Sequence, residues 1–126
     1  MQTLCVLILV AVGLIHLLPV TGVLGGERLL ALYGLRADEP SLSILLRHRA
    51  VLFALVGGLL IAGAFYAPWR GLALMAGLVS VLSFLWIATA EGGGNAALAR
   101  VFKIDVVAML ALLIVLAHDV YRYFQR

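Results

Sequence analysis

The chain has 126 residues, of which 65% are hydrophobic and only 12% charged, where an ordinary soluble domain carries about one quarter charged residues. A mean hydropathy of +1.17 excludes an ordinary water-solvated fold and calls for lipid as the solvent, in one domain by length. Net charge is +3 and the pI is near 9.5, but the Lys and Arg residues sit at the ends of apolar runs, so anionic headgroups rather than nucleic acid are the expected partner.

Four apolar segments follow one another. A helix needs about 20 residues to cross about 30 Å of hydrocarbon. The runs lack the period-2 alternation of a barrel strand, which leaves helices as the way to satisfy the backbone in lipid. The first span is residues 3–21, with Cys5, His16 and Pro19. The lone cysteine, Cys5, allows no internal disulfide and no Cys-based metal site. No Lys or Arg precedes the run and no Ala-x-Ala site follows it, so the sequence reads as a retained helix rather than a signal peptide.

Gly22, Gly25 and Gly26 then break the chain. The stretch from Glu27 to Leu35 has Leu29, Leu30, Leu32 and Leu35 apolar, with Glu27 and Arg28 polar. It reads as a short amphipathic helix at the interface, or equally as a plain loop. Asp38-Glu39-Pro40 is a helix start, with Asp38 as the cap and Pro40 in the first turn.

The second helix should run from Pro40 to Tyr66, its membrane span being residues 47–67 and its lipid-buried run Ala50 to Ala67. Pro68-Trp69-Arg70 closes it, with Tyr66 and Trp69 as belt aromatics. The third span is 71–90, ending at Glu91-Gly92-Gly93-Gly94-Asn95. The fourth helix runs from Ala96 to Phe124, with its span at 100–121. Small residues recur every fourth position at Ala54, Gly58 and Ala62, and more weakly at Ala73, Gly77 and Val81. Such rows let helices approach closely in lipid.

Alternating spans put the first and third loops on one membrane face. His16, Glu27, Arg47, His48, Arg49, Glu91, Arg100, Lys103 and Asp105 all belong to that half. The other half holds Arg70, His118, Asp119, Arg122 and Arg126 near its rim. On the last helix Arg100 and Lys103 lie about 60° apart, whereas Asp105 points away from both. Asp105 sits about 7 Å below the estimated interface, where a carboxylate faces the bundle interior and seeks a partner. Arg47, His48 and Arg49 on the second helix and His16 on the first are the candidates.

Either the pair fixes helix register, or the same groups line a cavity that binds a polar headgroup or moves a proton. Ser83 and Trp86, one turn apart on the third span, are further candidates for its wall. His16 alone reads as a hydrogen-bonded structural residue, and His118-Asp119 as a helix-end pair. The spacing of His16, His48 and Asp105 requires no metal. No cofactor and no catalytic residue is expected, because no nucleophile elbow, zinc helix or phosphate loop is present; Glu91-Gly-Gly-Gly lacks the Lys-Ser/Thr of a phosphate loop.

Gly13-Leu-Ile-His16, then Gly25-Gly-Glu27-Arg28-Leu with Leu32-Tyr33-Gly34, then Leu46-Arg47-His48-Arg49-Ala50-Val-Leu-Phe53, resemble a group of small bacterial inner-membrane proteins similar in outline to the DoxX-like four-helix family. The resemblance covers most of the chain and implies a multi-pass protein of the bacterial inner membrane, with no catalytic residues to carry over. Some members of that group bear the name phosphopantetheine adenylyltransferase. That enzyme is a soluble α/β protein with a His-x-Gly-His-type phosphate motif, and this chain has neither that motif nor a parallel-sheet pattern.

The expected fold is therefore an all-α integral membrane four-helix bundle with a short interfacial segment after the first helix. The leading functional expectation is non-enzymatic: a polar cavity in one membrane half that binds a lipid-like or amphipathic ligand. An accessory subunit of a larger membrane complex, or a membrane enzyme or proton-linked transporter acting as a homodimer, are the alternatives. Residues 28, 36, 47, 49, 100 and 103 give the loop face six cations, against three at 70, 122 and 126, which by the positive-inside rule makes that face cytoplasmic. Setting aside the four in the cluster leaves two against three, so orientation stays open.

Overall fold

The computed structural model describes Met1–Gln125; Arg126, counted above among the opposite-face cations, lies outside the described residues. The fold is an all-α bundle. Helix α1 spans Gln2–Leu17 and continues as a 3-10 segment, Leu18–Leu24. Helix α2 is Gly26–Tyr33, α3 is Pro40–Phe65, α4 is Ala67–Ala90 and α5 is Ala96–Phe124. Four stretches are long and apolar enough to cross a membrane: Gln2–Leu24, α3, α4 and α5. The chain is a small membrane protein.

The four long elements pack as a square. Helix α1 lies against α3 and α5, and α4 lies against the same two, while the diagonal pairs do not pack closely. Backbone approach sets the α1–α3 edge. A Cβ on Gly57 would lie 2.7 Å from the Gly13 carbonyl oxygen, and one on Gly13 would lie 2.9 Å from that of Gly57. Only hydrogen fits at that crossing. Cys5, Leu9, Leu60, Leu74, Leu112 and Val115 fill the core below it.

Several elements differ from the sequence expectation, each for a local reason. Glu39, not Asp38, caps α3: its carboxylate accepts from the Ser41 and Leu42 amides at 2.9 and 2.8 Å. Asp38 instead pairs with Arg36 at the surface. Pro68-Trp69-Arg70 does not close α3, because proline is as welcome in the first turn of a helix as after its end. Tyr66 alone separates α3 from α4 and terminates both. The row Ala54-Gly58-Ala62 is not the contact row, since Gly58 faces open space. The row one position away does the packing, through Gly57, Leu60 and Ala64. Ala73, Gly77 and Val81 are all buried as expected. The segment after α1 is a helix, α2, closed by Gly34.

Candidate functional site in the loop-end half

Helix α2 lies across the loop end of the bundle and presents Tyr33 inward. Asn95 fixes it there. Its Oδ1 accepts from the Leu98 amide to cap α5, and its Nδ2 donates to the Tyr33 carbonyl at 2.7 Å. One side chain thus satisfies an orphan amide of α5 and a terminal carbonyl of α2. The preceding turn needs positive φ at Gly92 and Gly93, 76° and 88°, which glycine adopts without steric cost.

Below this lid a cleft of about 960 Å³ opens between α3, α4 and α5. Leu52, Phe53 and Val56 form one wall, and Phe84, Ile87 and Phe102 line the facing side. Leu52 and Ile87 are exposed apolar residues, so this rim gives onto the lipid-facing surface. Glu91 and the glycine turn form the other rim. Ser83 also lines the cleft, but its hydroxyl donates to the Ser80 carbonyl, and the Thr89 hydroxyl likewise donates to the Leu85 carbonyl. Trp86 is exposed and is not among the lining residues.

Arg49 and Lys103 are the cations that line the cleft. The Arg49 guanidinium carbon stands 4.8 Å from the Phe53 ring centre, 5.3 Å from Tyr33 and 5.4 Å from Phe84. Three rings from three helices hold one guanidinium, each contact being worth about 0.5–2 kcal/mol according to how dry it is. Arg47 points elsewhere and donates to the Val23 carbonyl at 3.0 Å, tying α3 to the 3-10 segment. His48 is exposed.

Asp105 is 8% exposed and so buried. Among the described residues, the ion pairs within 4 Å are Arg36–Asp38, Arg70–Asp119 and His118–Asp119. Asp105 is thus in no direct pair, although Arg49 is the cation whose field acts on it. Tyr33 feels both charges. Burial pushes its phenol above the ordinary value, Arg49 pulls it back, and Asp105 adds to the rise. The hydroxyl is accordingly neutral at physiological pH.

His16 is 3% exposed and its ring lies 5.5 Å from Phe53, tilted. Its Nδ1 is 3.0 Å from the Val12 carbonyl. A carbonyl only accepts, so Nδ1 carries the proton. Nε2 is buried and without a hydrogen-bond partner among the described residues.

Of the residues singled out in this half, Arg49, Glu91 and Lys103 line the cleft, and Asp105 and His16 are buried near its walls rather than on them. Glu27 lines a small separate surface recess with Arg28. Arg100 is exposed and does not reach the cleft. Among the described residues no cluster of three His, Cys, Asp or Glu side chains could hold a metal. Sequence reasoning missed Phe53, Phe84 and Asn95. The signal for Asn95 was its place after a glycine run and directly before an apolar helix, where asparagine caps.

Comparison with protein-family models, with curated proteins and with solved structures finds no match to this chain.

Proposed function

We propose that the protein is a non-enzymatic binding protein of the bacterial inner membrane that holds a small amphipathic ligand in the loop-end cleft. The bacterial setting rests on the resemblance of the Arg47-His48-Arg49 region to the DoxX-like group. The ligand reading is carried by the cleft. At about 960 Å³ it falls in the range of about 300–1,000 Å³ that small-molecule sites occupy. Its composition supports an amphiphile: walls of Leu, Val, Ile and Phe, with a few polar groups gathered toward the loop end. The exposed Leu52 and Ile87 rim admits a hydrocarbon tail sideways from the bilayer, and the glycine-turn rim leaves room for a polar head.

Native mass spectrometry of the purified protein in a mild detergent tests this. An amphiphile should travel with the wild-type chain. It should be lost from Ser83→Trp, which puts an indole into the cleft. A bare wild-type chain, or a bound molecule that Ser83→Trp does not displace, would sink the proposal. A protein partner in place of the small molecule would favour an accessory subunit.

A further inference from the structure

Arg49 holds unused hydrogen-bonding capacity inside the cleft. A guanidinium carries five N–H donors in a planar fork, and aromatic faces answer its charge without accepting along that fork. The arginine side chains that donate hydrogen bonds to described residues are Arg47, Arg70 and Arg122. Arg49 has no such bond, and no carboxylate among the described residues lies within 4 Å of it. It is nevertheless held in place by Tyr33, Phe53 and Phe84. A cation immobilised by rings, with free donors, in a mostly apolar cleft is preorganised to receive an anion, and the low dielectric there strengthens the contact.

The surrounding charges agree. Lys103 lines the same cleft, and Glu91 is the one carboxylate among its described lining residues. Asp105 is buried, has no ion-pair partner within 4 Å among the described residues, and acts on Arg49 through space. A ligand anion can therefore take the fork without displacing an existing salt bridge.

We propose that the cleft selects amphiphiles with a compact anionic head, phosphate or carboxylate, and that Arg49 receives that head with Lys103 as a second cation. This rests on the amphiphile reading above and adds the ligand's charge. The tail lies along Leu52, Phe53 and Val56 toward the lipid-facing rim. Asp105 opposes the bound anion, so its neutral substitute should tighten binding.

The test is native mass spectrometry of the full chain in a neutral maltoside detergent, titrated separately with laurate, lauroyl lysophosphatidic acid, monolaurin and inorganic phosphate. Laurate and the lysophosphatidic acid should bind at least about tenfold more tightly than uncharged monolaurin, which is about 1.4 kcal/mol. Arg49→Gln should erase that preference, Arg49→Lys should retain part of it, and Asp105→Asn should increase it. Equal binding of laurate and monolaurin by the wild-type chain would overturn the anion inference while leaving the amphiphile proposal standing. Binding of none of the probes would overturn both. Inorganic phosphate bound as tightly as the lysophosphatidic acid would also overturn it, in favour of a free-anion site. The comparison of heads on the wild-type chain needs no variant, so it decides even where Arg49→Gln fails to fold.

Discussion

Each end of the bundle turns one arginine inward, and the two are treated in opposite ways. At the end away from the loops, Arg70 donates from Nε to the Gly63 carbonyl at 3.2 Å and from Nη2 to the Ala64 carbonyl at 3.1 Å. Its Nη1 lies 3.8 Å from Asp119, which His118 also contacts at 3.1 Å. These bonds satisfy carbonyls in the last turn of α3 and tie it to α5. At the loop end Arg49 meets three aromatic faces and no oxygen among the described residues. One end spends its guanidinium on the fold, and the other holds it ready. The first end is closed around Gly63 and Ala73, where a Cβ on the glycine would come within 2.8 Å of the alanine's. The second keeps a cleft.

The strongest way to break this contrast is to remove each guanidinium while keeping a flexible apolar side chain. Arg70→Met should cost about 3 kcal/mol, because it strands two carbonyls and a half-buried carboxylate. Arg49→Met should cost about 1 kcal/mol, because thioether–aromatic contacts replace much of the cation–π attraction. Unfolding midpoints in a mixed-micelle SDS titration read both. A loss for Arg49→Met as large as that for Arg70→Met would mean that Arg49 is held to neutralise Asp105, and the two ends would then be alike.

A smaller effect comes from the helix crossing that sets the square. Gly57→Ala should cost about 2 kcal/mol by the same assay, since the new methyl group meets the Gly13 backbone oxygen and something must move. Gly58→Ala, one position along, meets nothing within 4 Å and should be neutral or slightly stabilising. Equal effects at the two positions would contradict the observed α1–α3 approach.

This pair also marks how far the sequence could be read. Spans and loops follow from runs of apolar residues and their breakers, and the four-helix fold was legible from them. The rotation of α3 was not. A helix that is apolar on most of its circumference carries no stripe to say which side meets protein and which meets lipid, so Ala54-Gly58-Ala62 and Gly57-Leu60-Ala64 looked alike. The same ambiguity explains why Arg47, His48 and Arg49 could not be separated: consecutive residues point about 100° apart, and only the packing of α4 on α3 and the Tyr33 ring brought in by α2 select Arg49. The burial of Asp105 was legible, because a carboxylate inside an apolar run is expensive wherever it points, but the direct partner expected for it is not found among the described residues. Phe53 and Phe84 were not legible, because phenylalanine in a membrane helix is ordinary until a guanidinium is found over it.

The smallest expected effect lies at the rim of the open end, where local caps do what Arg70 does at the closed one. Hydrogen bonds from the Ser41 and Leu42 side of α3 hold the Glu39 carboxyl below the ordinary glutamate value. Because its folded value is depressed, the cap's contribution is fully present above the ordinary range and is lost as pH falls through the folded value. Wild type and Glu39→Gln should therefore differ in the amide protection of Ser41 and Leu42 near neutral pH, measured by hydrogen exchange against the same residues in an unfolded reference. The difference should vanish in acid well below the glutamate range, where both side chains are uncharged. Protection near Gly63 and Ala64 should not change at either pH, since Arg70 remains charged throughout. If acid loosened that closed end to the same extent, the distinction between a carboxylate cap at one end and an arginine donating to the Gly63 and Ala64 carbonyls at the other would have to be redrawn.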